Sequence, residues 1–140
     1  MLSVEIYCVG TLNEQYLRDA MAEYAKRLSA FCRFGVREVR EEQLLSSLPP
    51  KAYKIALCIE GTQRSSEELA ELMDALPSRG ISSVIFIIGG SDGLAAEVKS
   101  ACDLRLSFSR MTFPHQLMRV ILAEQIYRAF TIINHGKYHK

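Results

Sequence analysis

The sequence predicts an α/β fold, a mostly parallel sheet flanked by helices, and three observations carry that expectation. Residues 55–59 and 83–88 are apolar almost without interruption, as strands are when both faces of a parallel sheet are covered. The segments between such runs repeat apolar residues at helical spacing. With 140 residues, 49% of them hydrophobic and 24% charged, the chain can bury one core, so a single domain over residues 1–140 is expected.

In chain order, residues 2–9 are apolar and β-branched enough for a strand that ends at Gly10. Tyr16, Leu17, Ala20, Met21, Tyr24, Leu28 and Phe31 then follow the spacing of a helix. A short strand is expected over 34–39, followed by a charged connection marked by Pro49 and Pro50. After the strand 55–59 and Gly61, Ser65 and Glu68 stand three apart as a capping box, ahead of a helix carrying Leu69, Leu72, Met73 and Leu76. The strand 83–88 opens through GGSDG into a helix over 94–101. A short strand at 104–108, the loop SRMTF and a long helix over about 114–134 complete the chain.

The charges are unevenly spread. From Arg105 onward six basic residues face one acid, Glu124; that end carries +5 and, with a total of +1, the remainder carries −4. A basic end on a nearly neutral chain suits an anionic partner such as nucleic acid, although a solvated charged face produces similar counts. No apolar stretch is long enough for a bilayer and Glu5 interrupts the first one, so neither signal peptide nor membrane span is expected, and the protein is expected in the cytoplasm. Cys8, Cys32, Cys58 and Cys102 form no C-x-x-C pair. Reduced thiols are expected, with no metal site.

Ligands of an open parallel sheet bind beyond the carboxyl ends of its strands. Three loops qualify: 60–64, 89–93 and 108–113. The glycines at 89, 90 and 93 match neither G-x-G-x-x-G nor a P-loop, and taken alone that loop reads equally as a turn. The last helix carries apolar residues around nearly its whole circumference, including Leu117, Val120, Ile121, Ile126, Phe130 and Ile133. Such a helix needs cover on two sides, by the sheet and a second copy in a C2 homodimer, or by the N-terminal helix. Glu124 and Arg128 can pair at i,i+4. Arg119 has no acid at i±3 or i±4, which leaves it available to a phosphate, a ligand carboxylate or a partner chain. His115 stands in the first helical turn, where it either caps the helix or offers a neutral imidazole to a proton. The terminal Tyr138, His139 and Lys140 read as a frayed end or as groups that stack on a base.

The stretches IIGGSDGL, LSFSRMTFPHQLMRVILAEQIYRAF and YHK, with CVGTL, EYAKRL and ALCIEG, resemble the ribosomal RNA large-subunit methyltransferase H family of the SPOUT superfamily. The resemblance covers nearly the whole chain. It implies a C-terminal part threaded as a deep trefoil knot, against the general rule, and S-adenosylmethionine as methyl donor. Its donor contacts, carried over by position, fall on Leu57, Gly89 and Gly90, and on Phe108, Ser109, Arg110, Met111, Thr112 and Phe113. The implied reaction is methylation of a pseudouridine at N3 in 23S rRNA, by a homodimer acting on assembled ribosomes. Removing the imide proton requires a base; His115, Tyr138 and His139 match, with Arg119 and Arg128 orienting groups or stabilising the developing anion. Alternatives are a SPOUT methyltransferase acting on another RNA such as tRNA, and a silent dimeric module that binds RNA or nucleotide. The chain departs from the family between Arg40 and Lys54, where most relatives carry a longer insertion.

Overall fold

A computed structural model describes all residues, 1–140. Five strands form one sheet: β1 (Ser3–Val9), β2 (Arg33–Val39), β3 (Tyr53–Gln63), β4 (Ser83–Ile88) and β5 (Leu104–Ser107). Their order is β2-β1-β4-β3-β5, and every pairing is parallel. The helices are α1 (Gln15–Leu28), α2 (Leu44–Ser47), α3 (Ser66–Ala75), α4 (Ala96–Ser100) and α5 (His115–Ile133).

The apolar run of β4 is explained by its central place. Val84, Phe86 and Ile88 face one core with Val4, Ile6 and Leu122, whereas Ile85 and Ile87 face a smaller core with Tyr7, Ala56, Leu44, Leu94 and Val98. Alternate side chains of a strand point to opposite faces, so a strand covered on both sides has no polar position to spare. Helices α1, α3 and α5 supply the larger core, and α2 and α4 the smaller. The capping box starts α3 as expected: Glu68 N–H donates to Ser65 Oγ at 3.0 Å, and Ser65 N–H to Glu68 Oε1 at 2.7 Å.

Two elements differ from the sequence reading in extent. The connection after Arg40, read as loop, holds a single 3-10 turn and α2, and Leu44 seals the smaller core. Strand β3 continues past residue 59 to Gln63 because it leaves β5 and returns: both Leu57 and Thr62 pair with Leu106, so residues 58–61 bulge outward. Gly61 permits the return. A Cβ there would lie 2.7 Å from the Arg105 carbonyl oxygen, closer than side chains tolerate. The polar residues Glu60, Thr62 and Gln63 gave no strand periodicity, which is why the run appeared to end early.

Helix α5 lies over the sheet with α1 on one flank and α3 on the other. Leu122, Ala123, Ile126, Ala129 and Phe130 are buried, Leu117 remains exposed, and Val120 and Ile121 are half-buried. Cover by the chain's own helices therefore accounts for most of the apolar circumference.

Arg119 is not available as the sequence suggested, because its acid comes from β2 rather than its own helix. Only 1% exposed, its guanidinium donates to Glu38 Oε2 at 2.6 Å and to the carbonyls of Val9 and Gly10 at 3.0 and 2.9 Å. Glu38 Oε2 also accepts from Leu12 N–H at 2.8 Å. Removing one partner of such a pair strands the other without water. Glu38→Ala is expected to cost about 2 kcal/mol, less than for a fully buried pair because the carboxylate is 39% exposed. Denaturant unfolding measures this, and Arg119 remaining without effect on substitution would contradict it.

Candidate functional site

The carboxyl ends of β3, β4 and β5 open into a cavity of about 710 Å³, within the size range of small-molecule sites. Its floor is apolar: Leu57, Ile88, Leu94, Leu106 and Phe108. Three loops form its walls, residues 57–60 from the β3 bulge, 88–94 after β4, and 108–115 before α5. Of the residues expected to bind a donor, Leu57, Gly89, Gly90, Phe108, Ser109, Met111, Thr112 and Phe113 line it, and Arg110 does not.

The glycine loop is closed on itself. Gly93 N–H donates to Gly90 O at 3.0 Å, Gly93 adopts φ +80°, and a Cβ on Gly89 would come within 2.6 Å of the Gly93 carbonyl. Main chain, rather than side chains, is thereby presented to the cavity. The following loop is braced by Ser107 Oγ donating to Ser109 O at 3.1 Å, and by Met111 N–H donating to Ser109 Oγ at 2.9 Å.

Some lining residues fell within the expected ligand loops without being singled out, and Lys99 fell outside them. Glu60 and Lys99 form an ion pair at the rim, and Asp92 also lines the cavity. The hydrogen bond from Lys99 holds the Glu60 carboxyl below its ordinary value. Only the three-dimensional return of β3 brings Glu60 to α4; the ALCIEG run was the one signal for it. Cys58 also lines the cavity, but burial pushes its thiol up, so it is no ready thiolate.

The five residues expected in catalysis fall in three places. His115, at the start of α5, reaches the cavity together with Met118. Arg119, one turn further along α5, is in the core and bound to Glu38 and the end of β1. Arg128, Tyr138 and His139 meet one another away from the cavity. The tail folds back on α5, so Tyr138 packs edge-on against Tyr127 with ring centroids 4.8 Å apart, and Arg128 lies over its ring at 4.9 Å. The Tyr138 hydroxyl donates to Glu124 Oε2 at 2.6 Å, as does Arg128 at 2.6 Å. Arg128 also donates to His139 Nδ1 at 2.9 Å, which assigns the His139 proton to Nε2, 3.4 Å from Glu67 Oε1 on α3.

This network sets the ionisation of its members. Burial alone would raise the Glu124 carboxyl, but hydrogen bonds from Arg128 and Tyr138 outweigh it and hold the group below its ordinary value. Burial, then the bond to Glu124, drives the Tyr138 hydroxyl well above its usual range.

Comparison with known proteins gives this chain a context. Residues 2–139 match the family described as "Predicted SPOUT methyltransferase". The chain is 43% identical over 159 residues to ribosomal RNA large subunit methyltransferase H of Bacillus pumilus (strain SAFR-032), covering 99% of this chain and 100% of that protein. It is 44% identical over 160 residues to the protein of that name from Ligilactobacillus salivarius (strain UCC118), with the same coverage. Both alignments exceed the 140 residues of this chain, so these relatives carry residues it lacks. Among solved structures, a probable methylase family protein from Haemophilus influenzae Rd KW20 superposes with a TM-score of 0.62 at 15% identity, over 98% of this chain and 70% of that one. A probable methyltransferase from Bordetella pertussis Tohama I gives 0.61 at 14%, over 91% and 95%. At such identities the likeness concerns the fold alone.

The tail network has a pH window. Glu124, depressed in the folded state, contributes stability that is present above its unfolded value and lost as pH falls through the folded one. Tyr138, raised, contributes stability that is present below its unfolded value and lost as pH rises through the folded one. The tail is thus expected to stay docked through neutral pH and to loosen only as pH falls below the ordinary carboxylate range or rises past the ordinary tyrosine range. Ring signals of Tyr138 in NMR report this; detachment between pH 6 and 8 would contradict it.

Proposed function

Because this chain belongs to the SPOUT methyltransferase family and is a methyltransferase of large-subunit ribosomal RNA, we propose that its donor is S-adenosylmethionine and its acceptor N3 of a pseudouridine in 23S rRNA. When bound, the donor supplies an electrophilic methyl carbon on a sulfonium sulfur. The observation that carries the donor assignment is the convergence of three strand-end loops on one cavity. Its apolar floor suits an adenine and a thioether, its charged rim of Glu60, Asp92 and Lys99 suits a zwitterionic amino-acid end, and its glycine loop leaves main-chain groups accessible. Leu57, Gly89, Gly90 and the segment from Phe108 through Phe113 hold the donor. Arg110 enters this set only as part of that segment.

The active form is a homodimer with shared sites. His115 and Arg128 are thirteen residues apart on one helix, about 20 Å along its axis at 1.5 Å per residue. One chain therefore does not bring the cavity and the tail together, whereas a C2 copy can set the tail of one subunit over the cavity of the other. Exposed Met111, Phe113 and Leu117 beside the cavity mouth supply apolar surface for that contact. In the shared site Tyr138 and His139 contact the base and Arg128 orients them, while His115 faces from the cavity wall. Arg119 serves by fixing the helix that carries His115.

A single domain with a C-terminal deep trefoil knot accompanies this reading. The close crossing of β3 over residues 105 and 106, and the return of α5 across the sheet, support that threading. The basic C-terminal end suits the phosphates of the ribosome, and cytoplasm is the compartment in which ribosomes are met. No helix is long and apolar enough to cross a membrane.

The test is transfer of labelled methyl from S-adenosylmethionine to ribosomes from a strain lacking this chain, with the product nucleoside identified by mass spectrometry. N3-methylpseudouridine in 23S rRNA is the expected product; labelling of isolated tRNA instead would reassign the substrate. Deleting residues 138–140 is expected to reduce transfer to background while donor binding, measured by calorimetry, stays within about twofold. Gly89→Ala is expected to weaken donor binding at least about tenfold by displacing the glycine loop. Retained turnover without the tail would remove it from the mechanism.

A further inference from the structure

A hydroxyl that already donates to a carboxylate has a lone pair pointed elsewhere and a path for its own proton. Tyr138 is in that position: its Oη–H is committed to Glu124 Oε2 at 2.6 Å. His139, its neighbour, lacks the equivalent capacity here, because Nδ1 already accepts from Arg128 at 2.9 Å and Nε2 bears the proton facing Glu67. Of the two carboxylates in the tail cluster, Glu124 is the one that accepts from the Tyr138 hydroxyl, whereas Glu67 faces His139. Its side chain is 17% exposed and held from three directions, by Arg128, Tyr138 and Gln125 Nε2 at 3.1 Å.

We infer that Glu124 is the terminal acceptor of the imide proton, received through Tyr138 in a concerted relay. This rests on the reading that the tail works at the methylated base. The N3–H bond breaks toward Tyr138 Oη as the Oη–H proton passes to Glu124. The electron pair left on N3 forms the bond to the methyl carbon, and the pair of the broken carbon–sulfur bond leaves with the neutral thioether. Positive charge on the donor and negative charge on Glu124 are both discharged, so the balance closes without another reactant. Glu124 then releases its proton to water. Because Tyr138 resists becoming a free phenolate, the two proton movements occur together rather than through an ionised tyrosine. Glu124 acts through Tyr138 and is a positioning residue. Arg128 keeps it ionised, and the remaining groups around the pair are His139, Glu67 on α3, and Tyr24 and Arg27 on α1.

The experiment uses the full-length protein and ribosomes lacking the modification, under single-turnover conditions across pH 6 to 9. The wild type is expected to show a nearly flat profile. Glu124→Gln keeps the size of the side chain and an oxygen for Tyr138, and is expected to be about 100-fold slower at pH 7. Its rate is expected to rise about tenfold per pH unit as hydroxide replaces the lost acceptor. Glu124→Asp is expected to recover part of the rate, and the double change with Tyr138→Phe to be no slower than either alone, as members of one relay are. Independently of turnover, the ring-carbon NMR titration of Tyr138 is expected to shift downward in Glu124→Gln, toward ordinary tyrosine. If that variant unfolds, Tyr138→Phe, which removes the first member of the relay, carries the same pH profile test.

An unchanged rate and flat profile in Glu124→Gln, with Tyr138→Phe impaired, overturns the relay and leaves the tail in the mechanism. Loss of rate in Glu124→Gln that higher pH does not restore also overturns it, reducing Glu124 to a structural tie. An impaired His115→Ala beside an unimpaired Glu124→Gln moves the base to the cavity wall. Full rate in Tyr138→Phe, or no transfer by the wild type, overturns the shared-site reading itself and the relay with it.

Discussion

A guanidinium sealed from water at the meeting of β1, β2 and α5 determines where the last helix lies. Arg119 donates to two carbonyls at the end of β1 and to a carboxylate from β2. Gln116, one turn earlier, reinforces the contact by donating to Thr11 O at 3.0 Å and accepting from Asn13 N–H at 3.4 Å. A buried charge tolerates few alternative geometries, because each displacement leaves donors or carbonyls unpaired. The register of α5 on the sheet follows, and with it the direction in which every functional group on that helix points.

From that register come two unlike sites on one helix. Its first turn presents His115 and Met118 to an apolar cavity whose polar groups are mostly main chain and rim charges. Its third and fourth turns present Glu124 and Arg128 to the returning tail, where charge and aromatic faces dominate. The separation is a consequence of helix geometry, which sets Glu124 about 14 Å and Arg128 about 20 Å along the axis from His115. A reaction that needs both a bound donor and a proton acceptor is therefore served by two chains more readily than by one.

The sheet was legible in the sequence because it is covered twice: a strand with cores on both faces has to read as an apolar run, and α3 announced itself through Ser65 and Glu68. The bulge of β3 was not legible, since Glu60 and Thr62 obey no periodicity and the pairing of Thr62 and Gln63 with Leu106 and Ser107 depends on a segment forty-four positions onward. Arg119 was misread for a related reason. A search for acids along the helix finds local partners, and Glu38 lies eighty-one positions away. The cavity loops were found by the rule that ligands gather at strand ends and by family resemblance; Glu60 and Asp92 lay within them without being singled out, and Lys99 entered only with the fold. Tyr138 and His139 were suspected from their chemistry; that they dock on Glu124 and Arg128 required the return of the tail.

The shared site is tested most directly by subunit complementation. A chain carrying Gly89→Ala, with its own donor cavity impaired, is mixed with a chain ending at Lys137, which lacks the tail. With the donor kept well below the concentration that fills the Gly89→Ala cavity, each alone is nearly inactive on this account, but exchange between them forms hybrids in which one intact cavity faces one intact tail. Methyl transfer is expected to return to about a quarter of the wild-type level, since half of a statistical mixture is hybrid and each hybrid has one working site of two. A mixture that exchanges subunits and stays as inactive as its components would contradict the shared site.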